Sequence, residues 1–200
     1  PFFTAPEGIR DMDSSLVGSE MSIRDRVDTR HASSETQFRA ADVSEQPIAI
    51  SHAGMTSKVD QFRSSSDKAI KAVTSKGGVM GVISTPAAIA GSDRCTVQDY
   101  LDNIDHAVNL AGIDHVGIGS DFIIPATFEQ ILSAPDWDPR TVASIGEFEV
   151  WPWSDGHVGF ENNSGYPNLT RGLLSRGYSD ADIAKIMGGN WMRLIKDTIG

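Results

Sequence analysis

Short apolar runs alternate with amphipathic helical stretches between residues 27 and 121 of this chain. Four of these runs are typical of buried strands, at about 27–31, 47–51, 79–83 and 115–120, and short links join them to the helices. A strand, helix, strand order of this kind predicts right-handed βαβ units and a parallel sheet. We therefore predict an α/β fold with parallel strands.

Metal-ligand side chains follow three of the predicted strands. His31 and His52 come directly after the first and second runs, and Asp121 comes after the fourth. The carboxyl ends of parallel strands meet at one rim, where ligands and metals bind, so we expect these three side chains to lie together. Imidazole and carboxylate groups are zinc ligands, and the sequence therefore predicts a metal site. The alternative is that each side chain only satisfies a local hydrogen bond.

Composition narrows the possible partners. The 200 residues carry a net charge of −10, which argues against nucleic-acid binding because phosphate recognition needs clustered Lys and Arg. No apolar run approaches the roughly 20 residues that a membrane-spanning helix needs. The lone Cys95 fits a reducing compartment, so we expect a soluble protein and favour a cytoplasmic location.

The domain organisation is predicted to be a single, partial domain over residues 1–200. Residues 1–26 are interpreted as a poorly defined leader. Residues 123–165 are interpreted as a long loop on the side of the active site, because loops of that length are often functional walls or lids. The last residues of the chain are predicted to be helical, with Ser179 as a helix cap.

Several segments carry a family resemblance. They read VDTRHAS, PIAISH, GIDHVGIGSDF, YPNL and IAKIMGGN, beginning at residues 27, 47, 112, 166 and 183. In their order and spacing they resemble the C-terminal half of the membrane (renal-type) dipeptidase family, zinc-dependent members of the amidohydrolase superfamily. The resemblance implies the C-terminal half of a (β/α)8 TIM-type barrel, with a long loop after the last strand and C-terminal helices.

The resemblance also implies a chemistry. Members of that family hold two zinc ions and hydrolyse the amide bond of dipeptides with a metal-activated water. By motif match, His31, His52 and Asp121 are metal ligands, and Asp121 is also the catalytic residue that takes a proton from the water. Arg63 falls where the family holds the carboxylate of its small, dipeptide-like substrate.

Departures from the family pattern keep other functions open. The chain contains no His-x-Asp pair and no match to the Glu that bridges the two metals. We therefore expect the missing half of the barrel to come from the same polypeptide or from another chain. A homodimer is one such arrangement. The family's Asp-Phe-Asp-Gly reads Asp121-Phe122-Ile123-Ile124 here. The alternatives are a related hydrolase for another amide or a lactone, and a truncated homologue without catalysis.

Overall fold

The computed structural model describes residues 27–61, 64–92, 94–122 and 157–199. Its strands are β1 (Ala49–Met55), β2 (Ser64–Ser65), β3 (Val79–Val82), β4 (Cys95–Thr96), β5 (Val116–Ile118) and β6 (His157–Val158). The main sheet runs in the order β2-β1-β3-β5, and all of its strand pairs are parallel. A smaller parallel sheet joins β4 to β6. This topology confirms the predicted parallel α/β fold.

One helix precedes the first strand, and the others connect the strands or follow the last of them. They are α1 (Ser34–Val43), α2 (Asp67–Ser75), α3 (Pro86–Ala90), α4 (Val97–Ala111), α5 (Tyr166–Ser175), α6 (Asp180–Ala184) and α7 (Asn190–Ile199). Local sequence sets several of their starts: the Thr96 hydroxyl accepts a hydrogen bond from the N–H of Asp99 in a capping box, and Ser179 caps α6 as predicted.

The two faces of the main sheet are covered differently. Ile50, Met80 and Val116 belong to a large core that includes residues of α2, α4 and α5. The opposite face carries small side chains, and Leu194 of α7 packs there against Ala49 and Val79. Alternate residues of a strand point to opposite faces, so each β-strand contributes to both layers.

The helix α7 is fixed beneath the amino ends of β3 and β5. Asn190 donates hydrogen bonds of 2.8 and 2.7 Å to the carbonyl groups of Ile113 and Val116, and Arg193 donates to the carbonyl of Gly77. This contact closes the end of the sheet opposite the carboxyl rim. The rim therefore stays available for a site.

Two of the predicted strands differ from the observed ones. The predicted end of the second strand at Ser51 is wrong, because β1 continues to Met55 and its pairing with β3 shifts register between Ile50 and Ala53. His52 consequently lies in a bulge within the strand and not after it. The first predicted strand is reduced to one parallel bridge between Asp28 and Ala49.

The remaining predictions concern the leader, the long loop and membrane-spanning helices. The leader, residues 1–26, and most of the predicted loop, residues 123–156, lie outside the described residues. The end of that predicted loop, residues 157–165, contains β6 and a short helical turn, Asn163–Gly165. Within the described ranges, none of the helices combines the length and the apolar character needed to span a membrane.

Candidate metal site

His52 lies in the bulge of β1, and its environment keeps its imidazole neutral. Its side chain is 19% exposed, and Nε2 is buried without a hydrogen-bond partner in the described structure. Burial lowers the pKa of the imidazole to about 4, although the nearby Asp121 carboxyl group opposes that shift. The ring is therefore uncharged at neutral pH, which is the form of imidazole that binds metals.

Asp121 follows β5 and faces His52. Its Oδ1 atom lies 3.6 Å from Nε2 of His52, which is too long for a hydrogen bond. The backbone of Asp121 is left-handed, with φ 57°, a conformation that is uncommon outside glycine. The preceding residues are tied to β3, because Gly119 donates to the carbonyl of Val82 and Ser84 donates to the carbonyl of Ser120.

His31 approaches the same place from the segment before α1. Its ring and that of His52 have centroids 5.4 Å apart and meet edge to face. His31 also has a left-handed backbone, with φ 66°, so the chain turns sharply between the bridge at Asp28 and the helix cap at Ser33. The described structure therefore brings both His31 and Asp121 close to His52 at one rim.

The bulge needs the two glycines that oppose it. A Cβ atom at Gly81 would lie 2.0 Å from the carbonyl oxygen of Ser51, and one at Gly119 would lie 2.2 Å from it. No real side chain tolerates such distances. Glycine in a strand interior often marks a close approach of another backbone, and here the approaching backbone carries His52.

The chemistry of these groups fits a zinc ion in part. An orphaned imidazole nitrogen of His52 faces the Asp121 carboxyl group across a gap of 3.6 Å, and both are groups that bind zinc. Within the described residues, however, no group of three or more His, Cys, Asp or Glu side chains is arranged closely enough to hold a metal. The donor set suits zinc, and further ligands would have to come from elsewhere.

Arg63, the predicted substrate-binding residue, lies outside the described residues. Among the other histidines, His106 pairs with the hydroxyl of Ser57 at 2.9 Å, and Nδ1 of His115 lies 2.8 Å from the carbonyl of Gly78. His157 is only 1% exposed.

Sequence reasoning missed Ser51 as a support of the site, and Asp28 is a second supporting residue. Ser51 has its hydroxyl 3.0 Å from Nδ1 of His52. Asp28 accepts hydrogen bonds from the N–H groups of Arg30 and Ser51, which precede the two histidines. The sequence places Ser51 immediately before a histidine at the end of an apolar run. That position alone is a weak indication of a supporting role.

A family model describes most of the chain. The model of the membrane dipeptidases, peptidase family M19, matches residues 26–137 and 152–199. Dipeptidase tcpJ of Claviceps purpurea is 28% identical over 172 residues, covering 86% of this chain and 34% of that protein. An uncharacterized dipeptidase of Schizosaccharomyces pombe is 30% identical over 175 residues, covering 86% and 35%.

A solved structure extends the comparison to the fold. An amidohydrolase from Pseudomonas aeruginosa superimposes with a TM-score of 0.72 at 25% identity, over 88% of this chain and 53% of that one. This match agrees with the predicted half of a TIM-type barrel. The chain spans about a third of the length of the curated relatives that it matches.

Proposed function

This chain belongs to the membrane dipeptidase family, peptidase family M19. We propose that it forms part of a zinc-dependent dipeptidase that hydrolyses the amide bond of dipeptides. The observation that carries the proposal is the pair formed by His52 and Asp121, with an orphaned Nε2 atom 3.6 Å from a carboxylate oxygen. His31 lies beside this pair and is the third proposed ligand.

We assign each residue a role in that reaction. His31, His52 and Asp121 would hold zinc. Bound zinc supplies a Lewis acid that polarises the scissile carbonyl and lowers the pKa of water. Asp121 would accept the proton of the attacking water, whose oxygen bonds to the carbonyl carbon while the C–N bond breaks and the leaving amine gains a proton.

The substrate carboxylate requires a cation in the same pocket. We propose Arg63 for this contact, because the planar guanidinium pairs with a carboxylate through two parallel hydrogen bonds. Its place in the sequence, after the strand that carries His52, supports this role. A dipeptide ester or amide, which lacks the C-terminal negative charge, should then be a poorer substrate than the free acid.

A panel of substrates tests the function. We expect the purified protein to release amino acids from unblocked dipeptides, to stop after treatment with a chelator, and to recover when zinc is added back. N-acyl amino acids and lactones serve as competing substrates. Faster turnover of either class would favour the related hydrolase, and no turnover of any class by zinc-loaded protein would favour a homologue without catalysis.

A further inference from the structure

The hydroxyl of Ser51 lies 3.0 Å from Nδ1 of the neighbouring His52. We propose that Ser51 is a positioning residue that accepts a hydrogen bond from Nδ1–H of His52 and thereby leaves Nε2 unprotonated toward Asp121. This inference rests on the proposed function, since it gives His52 the tautomer that a metal ligand needs. Metal-binding histidines commonly donate their other ring N–H to a fixed partner.

The surroundings of Nε2 favour this direction of the hydrogen bond. If Ser51 donated to Nδ1 instead, the proton would sit on Nε2. That N–H would be buried without an acceptor among the described residues, since Oδ1 of Asp121 lies at 3.6 Å, beyond hydrogen-bond distance. With the proton on Nδ1, the lone pair of Nε2 points into the gap between the two side chains, where a cation would bind it.

The backbone of Ser51 is held on both sides. Its N–H donates a 2.9 Å hydrogen bond to Oδ1 of Asp28. Its carbonyl oxygen lies over Gly81 and Gly119, where any side chain would collide with it. The hydroxyl therefore extends from a fixed point, and its position relative to the imidazole does not depend on a mobile loop.

The bulge explains how two adjacent residues can cooperate in this way. In a regular strand, consecutive side chains point to opposite faces of the sheet. The register of β1 against β3 shifts between Ile50 and Ala53, which is where Ser51 and His52 lie. A strand without that shift would turn the hydroxyl away from the ring, so the bulge and the serine act together.

A pair of variants with the same shape isolates the hydroxyl. Ser51→Thr keeps the hydroxyl, whereas Ser51→Val replaces it with a methyl group of similar size, and both are β-branched residues that suit a strand. We expect Ser51→Val to lower zinc affinity about 10- to 100-fold, the range found when a ligand's hydrogen-bond partner is removed. Ser51→Thr should stay close to the parent.

The control is a second serine–histidine pair outside the site. Ser57 lies 2.9 Å from Nε2 of His106, and its hydroxyl also donates to Asp67. Ser57→Val removes a comparable contact. It should change the environment of His106 and leave zinc affinity unchanged.

The experiment combines two measurements on the full chain. The ¹⁵N chemical shifts of the imidazole rings report the tautomer of His52 in metal-free protein, with His52→Gln giving the assignment. Competition with a chelator reports zinc affinity. We expect the Nδ1–H tautomer in the parent and in Ser51→Thr, and its loss, together with the affinity, in Ser51→Val.

The outcomes separate this inference from the proposed function. A parent that binds zinc while Ser51→Val keeps both tautomer and affinity overturns the role of Ser51 only. An Nε2–H tautomer in the parent overturns it as well. A parent that binds no zinc contradicts the proposed metal site itself, and the positioning role falls with it.

Discussion

The carboxylate of Asp28 accepts a 2.9 Å hydrogen bond from the backbone N–H of Ser51, although the two residues are 23 positions apart in the chain. The same oxygen accepts a 3.1 Å hydrogen bond from the N–H of Arg30. Arg30 precedes His31, and Ser51 precedes His52. One carboxylate oxygen therefore fixes the two segments that carry the proposed histidine ligands.

Asp28→Ala should disturb both histidines at once. It removes two charge-assisted hydrogen bonds, and because Asp28 is exposed we expect the free energy of unfolding to fall by only about 1–2 kcal/mol. Zinc affinity should fall further than in a surface variant that loses the same free energy of unfolding. Asp28→Asn keeps an acceptor oxygen and is the matched control. Equal zinc affinities in the two variants would show that the hydrogen bonds of Asp28 do not position the histidines. Chelator competition and denaturant unfolding measure these effects.

Gly119→Ala tests the close approach of the bulge. The added Cβ would lie 2.2 Å from the carbonyl oxygen of Ser51 and 2.9 Å from Cβ of His52, so the backbone of β1 has to move. We expect a loss of about 1–3 kcal/mol in the free energy of unfolding, as for overpacked cores, and weaker zinc binding.

The control for that prediction is Gly172→Ala on α5. Its Cβ would meet Cδ1 of Leu101 at 2.3 Å, which is the end of a side chain in the helical layer. We expect this variant to lose stability without losing zinc affinity in its folded fraction. If both glycine variants bind zinc as the parent does, the bulge does not position His52.

Burial of His157 should make the stability of the folded chain depend on pH. It is 1% exposed, neither ring nitrogen has a hydrogen-bond partner among the described residues, and burial lowers its pKa to about 4. The unfolded chain binds this proton near pH 6.5, whereas the folded chain binds it only near pH 4. The stabilisation from the neutral ring is therefore complete above pH 6.5 and is lost as the pH falls toward 4.

His157→Phe should flatten that part of the stability curve. An aromatic ring suits the site, since His157 packs edge to face on Tyr100 and Phe160. In metal-free protein the parent should lose about 1.4 kcal/mol more per pH unit than the variant, or about 3 kcal/mol over the window. Denaturant unfolding at several pH values measures this. Parallel curves for the two proteins would show that the buried ring does not control the transition.

The sequence predicted the fold more fully than the site. Parallel strands, covered on both faces, and helices with clear caps such as Thr96 and Ser179 follow from local patterns, because apolar periodicity and capping act within a few residues. The bulge at Ser51 and His52 does not, because it depends on the register between β1 and β3. Nothing near Asp28 in sequence indicates that its partner is Ser51.

The surroundings of His157 were equally inaccessible to prediction from local sequence. His157 was placed in a loop by its surroundings in the sequence, yet it pairs with Cys95 in a parallel sheet and is buried by aromatic rings. Two of its partners, Cys95 and Tyr100, are more than 50 residues away in the printed chain. Tertiary contacts of this range leave no local pattern.

Elemental analysis of zinc in the purified protein tests whether His31, His52 and Asp121 bind a metal. The parent, His31→Ala, His52→Ala and Asp121→Ala are measured together with His106→Ala, at a histidine that contacts Ser57. We expect bound zinc in the parent and in His106→Ala, and loss of zinc in the three rim variants. Absence of zinc from a folded parent, or retention of zinc in all three rim variants, would contradict the proposed metal site.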